Sequence, residues 1–93
     1  MLNISNNKIV EIEGIYHLKN LAFLDISNNL IEKCDSDDLP ENLIIVRMSK
    51  NPVKPEVYRK KLVMALNDLT ELDKIKVVAA ERLWYHGLLP KAL

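Results

Sequence analysis

Cysteine is nearly missing from this 93-residue sequence: Cys34 stands alone, so no internal disulfide can form and a reducing compartment is the expected setting. Net charge is missing too, because thirteen Lys and Arg are offset by thirteen Asp and Glu. That balance argues against a dedicated binder of nucleic acid or anionic membrane, since both attract phosphates through basic excess. The apolar runs, Leu43 to Val46 among them, fall far short of the roughly 20 residues that cross a bilayer. The first residues carry neither the basic stretch nor the apolar run of a secretory leader. Two glycines leave no material for a Gly-rich phosphate loop, and five aromatics mean a core built mainly from Leu, Ile and Val. A single domain of this size buries only about 60–65% of its unfolded surface, which argues against an enzyme with its own deep cleft. At 48% hydrophobic and 28% charged residues, wholesale disorder is excluded.

What the sequence does have is a repeat. Leu2-Asn3-Ile4-Ser5-Asn6-Asn7-Lys8-Ile9 returns 22 residues later as Leu24-Asp25-Ile26-Ser27-Asn28-Asn29-Leu30-Ile31, with six of eight positions identical. A further 22 residues lead to Val46, Met48, Asn51 and Val53, which keep the apolar and Asn types. Leu21 precedes Leu24 as Leu43 precedes Val46, completing the pattern L-x-x-L-x-L-x-x-N-x-I. In each copy the alternation predicts a short strand, with Leu24 and Ile26 inward and Asp25 outward. Asn7, Asn29 and Asn51 recur where the strand bends, and an amide with both donor and acceptor suits a ladder that satisfies backbone groups of its own and the adjoining coil. Ile9, Ile12, Ile15, Leu18 and Leu21 recur every three residues, a spacing suited to 3₁₀-like turns.

Ile9-Val10-Glu11-Ile12-Glu13-Gly14-Ile15, followed by Leu18 and Leu21, resembles the 22-residue subclass of leucine-rich repeat proteins. The tail extends the likeness: Asn51-Pro52-Val53, Tyr58-Arg59, Leu62-Val63, Leu66, Leu69 and Leu72-Asp73 look like the C-terminal cap of that subclass. The resemblance implies an α/β fold, a right-handed leucine-rich repeat solenoid with a short parallel β-sheet on its concave face and a C-terminal helical cap. Leucine-rich repeats are expected over residues 1–53 with the first truncated, the cap over 54–77, and a C-terminal helix and tail over 78–93. Within the cap, Pro55 opens a helix whose apolar stripe is Tyr58, Leu62 and Leu66 and whose wet side is Arg59, Lys60 and Lys61. Asp73 is expected to N-cap a second helix running to about Tyr85. Met1 enters in mid-repeat, so the expectation at that end is either a segment of a longer array or a first coil docked on another chain.

Function is expected on the concave strand face. Adding 22 puts Met1, Phe23 and Ile45 in one row, Asn3, Asp25 and Arg47 in the next, and Ser5, Ser27 and Ser49 in a third. An apolar row beside a charged row predicts a protein-binding site of Phe23, Asp25, Ile45, Arg47 and Asp73, the bland reading being two unremarkable exposed apolar residues. Asp25 and Arg47 are expected to pair as a surface ion pair more readily than to serve recognition. Two readings of the tail stand side by side: Trp84, Tyr85, Leu88 and Leu89 fold back on the cap, or they anchor a partner. Asn7, Asn29, Asn51 and Tyr58 are structural.

Chemistry beyond binding finds no support in the residue pattern. Asp35-Ser36-Asp37-Asp38 lacks the Gly and distal Glu of a calcium loop, and His17 and His86 have no ligands at metal spacing. Cys34 occupies a core position and reads as an inert thiol. No catalytic residue, cofactor or metal is expected, and the chain is read as a non-enzymatic protein-interaction module. Members of the resembling subclass point to ciliary or cytoskeletal assemblies as partners, with a protein phosphatase or a ribonucleoprotein particle as alternatives. Cytoplasm, cytoskeleton or cilium is the matching location. Protein partners are expected on the concave face and at the open N-terminal end, a membrane is not, and the neutral charge disfavours nucleic acid.

Overall fold

The computed structural model describes residues 1–88. Three short parallel strands, β1 (Leu2–Asn3), β2 (Phe23–Asp25) and β3 (Ile45–Arg47), lie side by side, followed by helix α1 (Pro55–Ala65), strands β4 (Glu71–Leu72) and β5 (Ile75–Lys76), and helix α2 (Ala79–Tyr85). The sheet order follows the chain from β1 to β5. Register holds to the 22-residue offset: Leu2 stands opposite Leu24, and Phe23, Leu24 and Asp25 stand opposite Ile45, Val46 and Arg47. Every strand is brief because the backbone turns left-handed soon after it ends. Asn6, Asn28 and Lys50 have φ of 58°, 54° and 60°, one per coil. Asn enters this region readily because its short polar side chain bonds locally, whereas lysine has no such compensation. Lys50→Asn should therefore raise stability by about 1 kcal/mol and the melting temperature by about 5 °C, measurable by calorimetry against the wild type.

Alternation sends Leu24, Ile26, Val46, Met48 and Leu72 to one side, where they are fully buried with Ile31, Leu43, Leu62 and Val63. Leu2, Ile4, Ile9, Ile15 and Leu21 of the first coil are only partly buried against this core. Cys34 lies inside it, its Sγ 3.7 Å from Met48 Sδ, and burial pushes the thiol pKa up to about 11, so it stays protonated and unreactive at neutral pH.

The ladder is hydrogen-bonded coil to coil. Asn29 Nδ2 donates to the carbonyls of Ile4, Ile26 and Ser27, while its Oδ1 accepts from the N–H groups of Asn7 and Ile9. Asn51 repeats the arrangement one coil later, donating to Ile26 and Met48 and accepting from Ile31 N–H. Asn7 donates only to Ile4 and Ser5 within its own coil.

Beyond β3 the pattern changes. Pro55 sits in the first turn of α1, where its missing N–H leaves no bond unmade, and Tyr58, Leu62 and Val63 are the buried face. The wet side is narrower than expected, since Arg59 is drawn inward. Its Nε and Nη2 reach the Glu81 carboxylate at 2.6 and 2.8 Å, and Nη1 and Nη2 reach the carbonyls of Leu72 and Lys76. Asp73 does not open a helix. With Lys74 it makes the two-residue turn of an antiparallel hairpin between β4 and β5, both residues left-handed at φ 53° and 66°, as such a turn requires. Its carboxylate is already committed to Met48 N–H, Ser49 N–H and the Tyr58 hydroxyl, so α2 begins only at Ala79.

Candidate functional site

The sheet face turned away from the core carries one side chain of every other strand residue. Phe23, Ile45 and Glu71 form a row across β2, β3 and β4, all partly exposed, and Lys76 extends it on β5. Phe23 and Ile45 are register partners, so two apolar side chains meet in the middle of the face. Arg47 leans back along the diagonal between strands onto Phe23, its guanidinium carbon 5.0 Å from the ring centroid. At that distance the ring quadrupole attracts the cation, which holds the long side chain flat on the sheet.

The structure departs from three expectations on this face. Asp25 is not an outward recognition residue: it is 8% exposed, hemmed in by strands on both sides. Its Oδ1 accepts from the Ser27 N–H at 3.0 Å and the Ser27 hydroxyl at 2.7 Å, closing the turn that follows β2. Asn3 does the same for Ser5 one coil earlier. Nor do Asp25 and Arg47 pair, because the short acid turns toward its own coil and the arginine turns the other way onto Phe23. Among the described residues the ion pairs are Lys19 with Glu41 and Arg59 with Glu81. Asp73 likewise belongs to the scaffold. Its Oδ2 accepts from the Tyr58 hydroxyl, and burial together with that bond raises the Tyr58 pKa.

The tail divides between the two readings. Arg82, which no sequence signal marked, reaches across to the end of α1 and the segment after it and donates to the carbonyls of Val63, Leu66 and Leu69. Tyr85 packs against the core and donates to Glu81 at 2.8 Å. Trp84 stacks on Tyr85, with centroids 5.8 Å apart and planes 18° from parallel, yet stays 44% exposed. Leu83 and Leu88 are exposed as well, and Leu89 lies outside the described residues. Among the described residues no cluster of three or more His, Cys, Asp or Glu side chains is arranged to hold a metal ion, and no helix is long and apolar enough to cross a membrane.

Stacked coils of one length, an asparagine at each bend and a parallel strand in every coil define a repeat protein with one sheet face turned away from its core. Residues 1–41 match the family model of leucine rich repeats (2 copies), which supports a leucine-rich repeat protein and suggests a protein–protein interaction module. No curated protein matches the chain.

Proposed function

We propose that the chain is a non-enzymatic interaction module of the 22-residue leucine-rich repeat subclass, a right-handed solenoid closed by a C-terminal cap, whose concave strand face receives a segment of a partner protein. The observation that carries this reading is the meeting of Phe23 and Ile45 at the middle of the sheet face, with Arg47 laid over the Phe23 ring. Aromatic and arginine side chains are the types that anchor interfaces, and an apolar centre ringed by polar residues is the usual anatomy of a binding patch. The cap-like run from Asn51 to Asp73 supports a scaffold or assembly subunit of ciliary or cytoskeletal machinery, acting in the cytoplasm. The buried reduced Cys34 is compatible with that compartment. The test is affinity purification with partner identification, comparing the wild type with Phe23→Asp and Arg47→Glu. Both variants are expected to lose the same partner while remaining folded by circular dichroism. Retention of every partner by both would overturn the proposal.

A further inference from the structure

Beside the strand ends the fold gathers three cations, Arg47, Lys50 and Lys74, against two carboxylates, Asp25 and Asp73. A shallow depression of about 350 Å³ is walled by Asp25, Arg47, Ser49, Lys50, Asp73 and Lys74, among others. Its carboxylates are hydrogen-bonded within the fold, Asp25 through Oδ1 by the Ser27 N–H and hydroxyl, Asp73 by two backbone N–H groups and the Tyr58 hydroxyl. Among the described residues Arg47, Lys50 and Lys74 take part in no ion pair. Arg47 Nε is closed off from solvent with no acceptor, although the residue as a whole is partly exposed. A guanidinium partly stripped of water gains more from an arriving carboxylate than a fully hydrated one, and its planar fork matches the two oxygens.

The two lysines add an independent observation. Both sit at left-handed φ, 60° at Lys50 and 66° at Lys74, where the backbone favours Asn or Gly, and the equivalents of Lys50 in the preceding coils are Asn28 and Asn6. A local rule broken twice at the lip of one depression, each time in favour of positive charge, marks a place where charge serves something other than folding.

We infer that the partner segment carries an aspartate or glutamate that settles on Arg47, Lys50 and Lys74, beside an apolar residue that covers Phe23 and Ile45. This rests on the reading of the face as a protein-binding surface and names the chemistry of what binds there. The segment is an acidic one, since the three cations of the depression outnumber its two carboxylates and none of the three is in an ion pair among the described residues.

Selection of random dodecapeptides on the intact chain tests the inference. Selected peptides are expected to carry Asp or Glu next to an apolar residue and to shift the amide resonances of Phe23, Ile45 and Arg47. Binding should fall by about tenfold for Arg47→Gln and again for the double variant Lys50→Asn/Lys74→Asn, and added salt should weaken wild-type binding more than that of the variants. The double variant is a stringent arm because asparagine suits both backbone positions, so lost affinity cannot be blamed on lost stability. Neutral peptides that shift Phe23 and Ile45 would overturn the acidic partner and leave the binding face standing. Peptides that shift only residues elsewhere, or the absence of any selected peptide, would overturn both. Acidic peptides that bind Arg47→Gln and the double variant with wild-type affinity would also overturn the inference.

Discussion

Asn29→Ala should cost about 2–3 kcal/mol of unfolding free energy, because the N–H groups of Asn7 and Ile9 lose their acceptor while the carbonyls of Ile4, Ile26 and Ser27 keep a second donor in Asn7, Asn51 and the Asn6 N–H, and each unsatisfied group costs about 1–3 kcal/mol, less what water recovers. The amide of Asn29 is 4% exposed and serves two coils: three carbonyls, Ile4, Ile26 and Ser27, accept from Nδ2, and two N–H groups, Asn7 and Ile9, donate to Oδ1. A chain of this length has a total stability of about 5–14 kcal/mol, so the change would remove a large share of it. Asn7→Ala supplies the contrast. Asn7 is exposed and its side chain serves only Ile4 and Ser5, so its loss is expected to cost about 1 kcal/mol or less. Asn29→Asp separates geometry from chemistry, since the acceptor survives while three carbonyl oxygens now face a carboxylate; it should be no milder than alanine. Urea denaturation of the three variants checks the ranking, and equal midpoints for Asn29→Ala and Asn7→Ala would refute the ladder as a source of stability.

The ladder, the strand register and the buried set were legible because each depends on one offset. Once Leu2 to Ile9 aligns with Leu24 to Ile31, period-two alternation decides which side chains enter the core, and the asparagines follow at fixed positions. The left-handed turns at Asn6, Asn28 and Lys50 obey the same offset and were available to the same alignment. What the offset does not carry is the choice a long or polar side chain makes among neighbours at similar distance. Alternation assigns Asp25 and Arg47 to one face and opposite each other, yet Asp25 finds two donors on Ser27 within its own coil and Arg47 finds a ring on the diagonal. At Asp73 the repeat ends, so neither period nor turn signal applies: Asp-Lys is a poor hairpin sequence on propensity, and only the docking of its carboxylate against β3 and Tyr58 makes the turn there. The face of the candidate site was thus readable by position, while the roles of two of its acids were set by contacts that sequence spacing does not encode.

The second large effect lies in the latch between the helices. α1 ends at Ala65, and in its last turn the Leu62 carbonyl takes the Leu66 N–H, while the carbonyls after it have no partner inside the helix. Arg82 from α2 takes Val63 of that last turn, and the same guanidinium reaches the C-cap Leu66 at 3.0 Å and Leu69 in the following segment at 2.6 Å. A cation at a helix C-terminus also interacts favourably with the helix dipole. One residue earlier in α2, Glu81 receives Arg59 from α1 and the hydroxyl of Tyr85, with Arg59 and Glu81 side chains only 18% and 15% exposed. Arg82→Met keeps the aliphatic stem and removes the donors, so the expected loss is about 2–3 kcal/mol, with α2 released before the sheet unfolds. Trp84 fluorescence should then move to the red at a lower urea concentration than the far-ultraviolet signal of the sheet, whereas wild type loses both together. The same latch predicts an acid limb. The Arg59 guanidinium holds the Glu81 carboxyl below the usual glutamate range. A depressed carboxyl stabilises the fold above its unfolded pKa of about 4.3, and that contribution disappears as pH falls through the lower folded value. Glu81→Gln should flatten the acid limb of the stability profile while lowering the plateau near neutrality. An unchanged acid limb in Glu81→Gln, or a single coincident transition in Arg82→Met at wild-type stability, would show that α2 is held by its apolar contacts alone.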